Sequence, residues 1–411
     1  MPHIVVLGAG ITGVTTAYAL LQAGHEVTVI DKHRYPAMET SFANGGQLSA
    51  SNAEVWTSWA TISKGIRWAM KADAPLLVNP APSWHKYSWL ANFMASISKY
   101  EDSTIATTRL AIESRRHMFR IAEEERIDFD LEKRGILHIY YDHESFEAAR
   151  KVNTILKRGG LDREPVNPSE IKAIEPALEG TFYGGFYTPS DATGDIHKFT
   201  RALANAAMRK GVRFIHSAEV NGIDPGDGVR VHYQPAQSRD AAIDIAADGI
   251  VICAGVASRR FAAMLGDYVN VYPVKGYSIT VSLHDEASRT SAPWVSLLDD
   301  LAKIVTSRLG PDRLRVAGTA EFNGFNLDIR NDRIKPLVQW TERLFPGVET
   351  SAIVPWCGLR PMMPDMMPHV AQGRHRGVFY NTGHGHLGWT LCCATAEIAV
   401  GLISGQFEMA S

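Results

Sequence analysis

Ile4-Val5-Val6-Leu7, then Gly8-Ala9-Gly10-Ile11-Thr12-Gly13, then Val27-Thr28-Val29-Ile30-Asp31 is the stretch whose reading decides the fold of this chain. Four apolar residues read as a buried parallel strand, and three glycines at G-x-G-x-x-G spacing follow at once. Val14 to Ala23 then reads as a helix that Gly24 ends. Together they predict a dinucleotide cradle. Gly8 permits the tight turn, Gly10 lets backbone approach a pyrophosphate, and Gly13 lets helix and strand pack closely, so the phosphates sit on the helix N-terminal dipole. Asp31 ends the second strand, where its carboxylate can accept from a ribose hydroxyl. An acid there favours a free 2′-hydroxyl, hence NAD or FAD over NADP, and does not choose between those two. A lone glycine motif also ends strands for structural reasons; here strand, glycines, helix, second strand and acid occur in order.

At 411 residues the chain is long enough for a two-domain α/β protein. Lys plus Arg is 42 and Asp plus Glu is 44, a net charge of -2 that argues against a polyanionic partner; nucleic acid is not expected. Cys253, Cys357, Cys392 and Cys393 form no C-x-x-C pair and no disulfide framework, which fits a reducing compartment. The histidines show no metal-ligand spacing, so no metal is expected. The apolar N-terminus lacks a basic leader region and reads as mature protein. No stretch offers the ~20 uninterrupted apolar residues of a membrane span. The expectation is a cytoplasmic protein, free or peripheral on the cytoplasmic face of the inner membrane.

Working outward, Glu39-Thr40-Ser41-Phe42-Ala43-Asn44-Gly45-Gly46-Gln47 is a polar loop able to wrap donors around a second phosphate or a flavin edge, with an ordinary connection as the equal alternative. From Trp56 to Tyr100 the character changes, with Trp59, Trp68, Trp84 and Trp89 among Pro75, Pro80 and Pro82. Large rings there belong more often to core or lid than to substrate contact. A helix is expected over 103–126, a strand pair over Asp128–Tyr141 and a helix over Phe146–Arg158. After Gly184–Asp195 the reading is a helix Ile196–Lys210 capped by Gly211, strands Val212–Ile215 and Ala218–Val220, and a strand Asp244–Cys253. That strand feeds the small-residue turn Ala254–Ser258, a second place for close backbone approach. Residues 271–355 alternate as strands of an antiparallel sheet. Strand Val378–Asn381 leads to Gly383–Thr390 and a helix to Ile403, whose N-terminal dipole would favour negative charge on a flavin pyrimidine ring. The expected domains are 1–55, 170–270 and 356–411 for the cofactor, and 56–169 with 271–355 for the substrate.

Five motifs in order carry a resemblance: Gly8–Gly13, Thr40–Gln47, Asp191-Ala192-Thr193-Gly194-Asp195, Cys357-Gly358-Leu359-Arg360-Pro361, and Asn381–Gly385 with Leu387–Thr390. Over nearly its whole length the chain resembles FAD-dependent D-amino-acid dehydrogenases, within the D-amino-acid oxidase and glycine/sarcosine oxidase superfamily. The resemblance implies an α/β protein, a Rossmann-like FAD-binding domain with an inserted α+β substrate domain on a mixed or antiparallel sheet. It implies non-covalent FAD held by Gly8, Gly10, Ile11, Thr12, Gly13, Asp31, Lys32, Ser41, Asn44, Gly45, Gly46, Gln47, Val220, Ala254, Gly255, Gly385, His386, Leu387, Gly388, Trp389 and Thr390.

Arg360 would bind the substrate carboxylate, since its fork matches a carboxylate bidentately and stays charged; Tyr277 and His386 are lesser candidates for pocket contacts. The implied activity is oxidative deamination of an amino acid, a D-amino acid foremost, by direct hydride transfer from Cα to flavin N5. Electrons would pass to a quinone, another carrier or oxygen. The alternatives are an oxidase of glycine, sarcosine, proline or hydroxyproline that makes peroxide, and a non-catalytic flavin-binding subunit. Cys357 sits near the flavin-linked cysteine of monomeric sarcosine oxidases, but its Gly-Leu-Arg-Pro surroundings are similar to those of the non-covalent relatives. Met363, Met366-Met367, His386 and Cys392-Cys393 depart from the dehydrogenase pattern.

Overall fold

The computed structural model describes the chain except residues 60, 64–74, 237–242 and 409–411; Trp68 lies outside the described residues. The opening strand, His3–Leu7, lies inside a six-stranded sheet of order His369–Gln372, Val378–Thr382, Gly249–Ile252, His3–Leu7, Glu26–Ile30, Arg213–Ile215. All its pairings are parallel except the edge pair His369–Gln372 with Val378–Thr382. Strands covered on both faces must be apolar throughout, and this is why Ile4-Val5-Val6-Leu7 carries no alternation. Ile4 and Val6 pack under the helices Ile11–Gln22, Ile196–Arg209 and Gly388–Glu408. Val5 and Leu7 face the hairpin sheet Ala218–Gly226, Gly228–Pro235, Ile243–Ala247 and the helix Ser258–Met264. The first helix ends as its glycine predicts: Gly24 takes φ +85° and its N–H returns to the Leu21 carbonyl.

The second sheet runs Ile353–Met362, Tyr272–Ser282, Arg313–Phe322, Ile304–Arg308, Ser296–Asp299, Ile136–Tyr140, Gly184–Thr188, Glu164–Val166, with Leu76–Val78 added alongside Arg313–Phe322. It is mixed, because Ser296–Asp299 pairs parallel with Ile136–Tyr140 and Leu76–Val78 parallel with Arg313–Phe322. The helix Asn331–Leu344 packs behind it through Ile334, Leu337, Trp340 and Leu344.

Several expectations change. The Asp128–Tyr141 pair is one strand, Ile136–Tyr140, because Asp130 and Gly135 take positive φ and turn the chain ahead of it. Asp244–Cys253 is two strands in two sheets, Ile243–Ala247 and Gly249–Ile252. The helix Asn331–Leu344 stands inside the segment read as strands; Pro336 hides it, although its apolar residues keep helical spacing. Among the described residues one helical stretch, Gly385–Phe407, is long and apolar enough by length and composition to cross a membrane, although Thr390, Thr395, Glu397, Ser404 and Gln406 interrupt it, so it is no uninterrupted apolar run. It is mostly buried, with Leu391, Cys392 and Ile403 inside the protein core. Gly184–Thr188, expected with the cofactor segment, pairs in the larger sheet, and Ile353–Met362 runs through the expected cut at 355/356. Arg360 therefore stands on the second sheet.

Candidate active site

A cavity of about 1300 Å3 is lined from both sheets. At one end is the cradle. A Cβ at Gly10 would meet only Ser41 Oγ at 3.5 Å, so this glycine leaves open a space the protein does not fill. Gly13 does something else: a Cβ there would fall 1.9 Å from the Gly8 carbonyl oxygen. It spaces helix from strand and does not line the cavity, unlike the other residues expected to hold the cofactor. The first-turn N–H groups of the helix, at Thr12 and Gly13, can reach no helix carbonyl. Asp31 Oδ2 accepts from Ala9 N at 2.6 Å and Oδ1 from His33 N at 2.8 Å, tying the glycine turn to the second strand while each oxygen keeps acceptor capacity. Lys32 sits at the rim, ion-paired with Glu39 at 2.6 Å.

The loop that follows is braced from the second sheet. Ser41 Oγ accepts from Ile11 N at 3.0 Å, and Asn44 Oδ1 from Gly46 N at 2.9 Å. Gly45 and Gly46 lie so close to Val305 and Ser307 that a Cβ on either would come within 3 Å of those side chains. Gln47 Nε2 donates to Ser296 Oγ at 2.7 Å. Arg315, buried and held to Thr280 Oγ1, donates to the Asn44 carbonyl at 3.0 Å. Asp191, paired with Arg115, accepts from Ala50 N and Ser51 N at 3.0 Å each. The sequence reading missed Arg315 as a brace; Asp191 lay in a quoted motif without a role.

Farther along, Val220 accepts from Arg260 through its carbonyl, and Ala254 leads into Gly255 at φ +54°. At the opposite end Gly385 takes φ +60° and His386, Leu387 and Gly388 lead into the helix Gly388–Glu408, whose N-terminus meets the cavity. The ring of Trp389 turns away into the core against Phe129 and Phe199, so only its backbone side faces a ligand, and Thr390 Oγ1 accepts from Ser49 N at 3.2 Å. Burial pushes the pKa of His384 down to about 3 and that of His386 to about 4. An unfolded chain takes up those protons near pH 6.5, so it binds more protons than the folded state between 6.5 and 4. Tm should therefore fall as pH drops through that window, and His384→Gln should flatten the slope.

On the strand Ile353–Met362, alternation turns Trp356, Gly358 and Arg360 to the cavity, while Cys357 packs in the core behind the sheet. Arg360 Nη1 donates to the Thr319 carbonyl at 2.9 Å. Among the described residues no carboxylate lies within ion-pairing distance of it. Burial lowers its pKa to about 10, far enough above neutrality that it stays charged. The guanidinium rests on Gly276, where a Cβ would fall 2.4 Å from Nη2. Thr319 presents its carbonyl from a left-handed conformation, φ +63°, unusual for a β-branched residue, at an irregularity in the register of Tyr272–Ser282 with Arg313–Phe322.

Tyr277 borders the cavity, but its hydroxyl donates to Glu321 at 2.8 Å and its ring packs in the core with Ile279 and Leu337. Period two hands the cavity face to Gly276 and Ser278 instead. Gly276→Ala should force the guanidinium aside and raise KM for amino acids at least about tenfold, since small misplacements of a positioning group cost that much. Flavin content should stay normal; an unchanged KM would mean that Arg360 does not use this position.

Residues 3–402 match the model of the family described as DAO, FAD dependent oxidoreductase. The chain belongs to that family. Over 404 residues it is 61% identical to D-amino acid dehydrogenase 3 of Mesorhizobium japonicum, covering 98% of this chain and 97% of that one. It is 40% identical to the D-amino acid dehydrogenase of Dechloromonas aromatica, over 98% and 97% of the two chains. Among solved structures, glycine oxidase from Geobacillus kaustophilus superposes with a TM-score of 0.78 at 21% identity, covering 98% of this chain and 95% of that one, a likeness of fold. As a member of the DAO family the chain is a FAD-dependent oxidoreductase, and the open space at Gly10 with two helix N-termini on one cavity fits that cofactor.

Proposed function

We propose that this chain oxidises a D-amino acid to its imino acid, which water hydrolyses to a 2-oxo acid and ammonia, with electrons leaving to a quinone or another carrier. The observation that carries this reading is Arg360, a guanidinium at the cavity that burial desolvates and that no acid among the described residues neutralises. A buried cation in that state calls for an anionic ligand, and a carboxylate matches its fork. The names of the relatives at 61% and 40% identity support the D-amino acid.

FAD, when bound, supplies the two-electron acceptor. The protein's part is positioning. Arg360, itself steadied by the Thr319 carbonyl, holds the carboxylate end, so the substrate's Cα and amine are presented at a set place in the cavity, and orientation of this kind can be worth ~7 to 11 kcal/mol of barrier. His386, neutral at working pH and stacked on Trp56 at 4.6 Å, adds no second charge to compete for the carboxylate.

An anaerobic screen of purified protein against D- and L-amino acids, glycine, sarcosine and prolines tests the reading through loss of the oxidised flavin band. Bleaching by D-amino acids, with dye reduced and no peroxide formed in air, is expected. Stoichiometric peroxide would make the protein an oxidase, and no bleaching by any amino acid would defeat the catalytic reading. Cys357 lies off the cavity, with its thiol donated to the Leu327 carbonyl at 3.0 Å. Acid precipitation should accordingly release all flavin into the supernatant; colour left in the pellet would reveal a covalent link.

A further inference from the structure

The wall beside Arg360 constrains what the rest of the substrate can be. Arg360, Gly276, Ala320 and Phe322 share the cavity face of neighbouring strands, and Leu76 and Val78 continue it because they pair in register with Ala320 and Phe322. The helix Trp84–Ala95 brings Leu90, Phe93 and Met94 to the same cavity, at the i, i+3, i+4 positions of one helix face. Trp56 with His386 stacked on it forms a third side. Val55, Tyr272 and Met362 pack beneath this lining, in one apolar cluster with Trp89 and Phe322.

Among the described residues, none of the side chains named in this wall apart from Arg360 is charged; the cavity's Glu54, Lys303, Asp300 and Arg163 stand on other segments. Glu54 lines the cavity and is already engaged: Tyr100, packed against the same cluster, donates its hydroxyl to Oε1 at 2.5 Å, and burial raises the carboxyl's pKa. A cationic side chain would have to share Glu54 with Tyr100 and give up its water against apolar surface. An anionic one would leave water for a wall whose named side chains, Arg360 apart, offer it no cation. A methyl group, or the hydrogen of glycine, would leave Leu90 and Phe93 without a partner across the gap.

Building on the function proposed above, we infer that the substrates are D-amino acids with a bulky apolar side chain, aromatic or branched aliphatic. That side chain lies between the sheet surface of Leu76, Ala320 and Phe322 and the helix face of Leu90, Phe93 and Met94.

The test is kcat/KM of the FAD-loaded enzyme, with an artificial dye as acceptor, for D-Phe, D-Leu, D-Met, D-Ala, glycine, D-Lys and D-Glu. The bulky apolar group should exceed D-Ala and glycine by at least about tenfold, the low end of what one methylene is worth in a fitted pocket. Ala320→Leu, which fills the gap, should lower the D-Phe to D-Ala ratio by about tenfold. D-Ala or glycine as best substrate, or an unchanged ratio in Ala320→Leu, would overturn the inference while leaving oxidative deamination intact. D-Lys as best substrate would overturn it in favour of Glu54 as a side-chain anchor. Flavin that no amino acid reduces would remove the proposed function and this inference with it. Should Ala320→Leu fail to fold, the wild-type series still decides.

Discussion

Arg360→Ala should retain its flavin and lose ~2 to 5 kcal/mol of transition-state stabilisation in kcat/KM, the cost of truncating one partner of a desolvated charge pair. The structure gives three reasons for expecting the upper part of that range. The guanidinium has no carboxylate of its own among the described residues, a backbone carbonyl holds it, and it lies on a glycine that leaves it room. Arg360→Lys should also bind substrate poorly, because an ammonium is a point charge that cannot span both carboxylate oxygens. An amine without the carboxylate should be a poor substrate for the wild type and lose little further in the variants, since the contact is already missing. A variant that keeps its flavin and oxidises amino acids within about threefold of wild type, ~0.6 kcal/mol, would remove Arg360 from the role assigned to it.

Gly10→Val and Gly13→Val should both cost the protein its flavin, for different reasons. At Gly10 the added atoms point into space bounded only by Ser41, so the chain should fold, with an apo Tm near that of the wild-type apoprotein, and fail to retain FAD because a branched side chain occupies the room a pyrophosphate needs. At Gly13 even a methyl collides with the Gly8 carbonyl at 1.9 Å, so helix and strand must separate and the first two elements of the core lose their packing. Far-ultraviolet circular dichroism and a melt of each apoprotein distinguish the two. Normal flavin content in Gly10→Val would defeat the cradle assignment, and a well-folded Gly13→Val would show that the close approach of helix to strand is dispensable.

The local motifs were legible because their information is local. A run of four apolar residues, three spaced glycines and a terminal acid specify a strand, a turn and a helix within one stretch of chain, and the structure puts Gly10, Asp31 and the Ser41–Gln47 loop on one cavity. Gly-Leu-Arg-Pro likewise marked Arg360, which reaches that cavity. Two strands, Gly184–Thr188 and Ile353–Met362, joined the larger sheet against expectation, because strand partners are chosen by distant segments. The ring of Tyr277 packs in the core for a related reason: the face a side chain takes depends on the register of its strand, and only pairing shows that Gly276 carries the guanidinium. The apolar wall beside Arg360 is the furthest from any sequence signal. Leu76, Leu90 and Ala320 have nothing in common along the chain, and they become one surface because Leu76–Val78 pairs alongside the end of Arg313–Phe322 and the helix Trp84–Ala95 packs across it. Close-range geometry was written in the spacing of residues; what those residues face was decided by long-range strand pairing and packing, which no short stretch of sequence encodes.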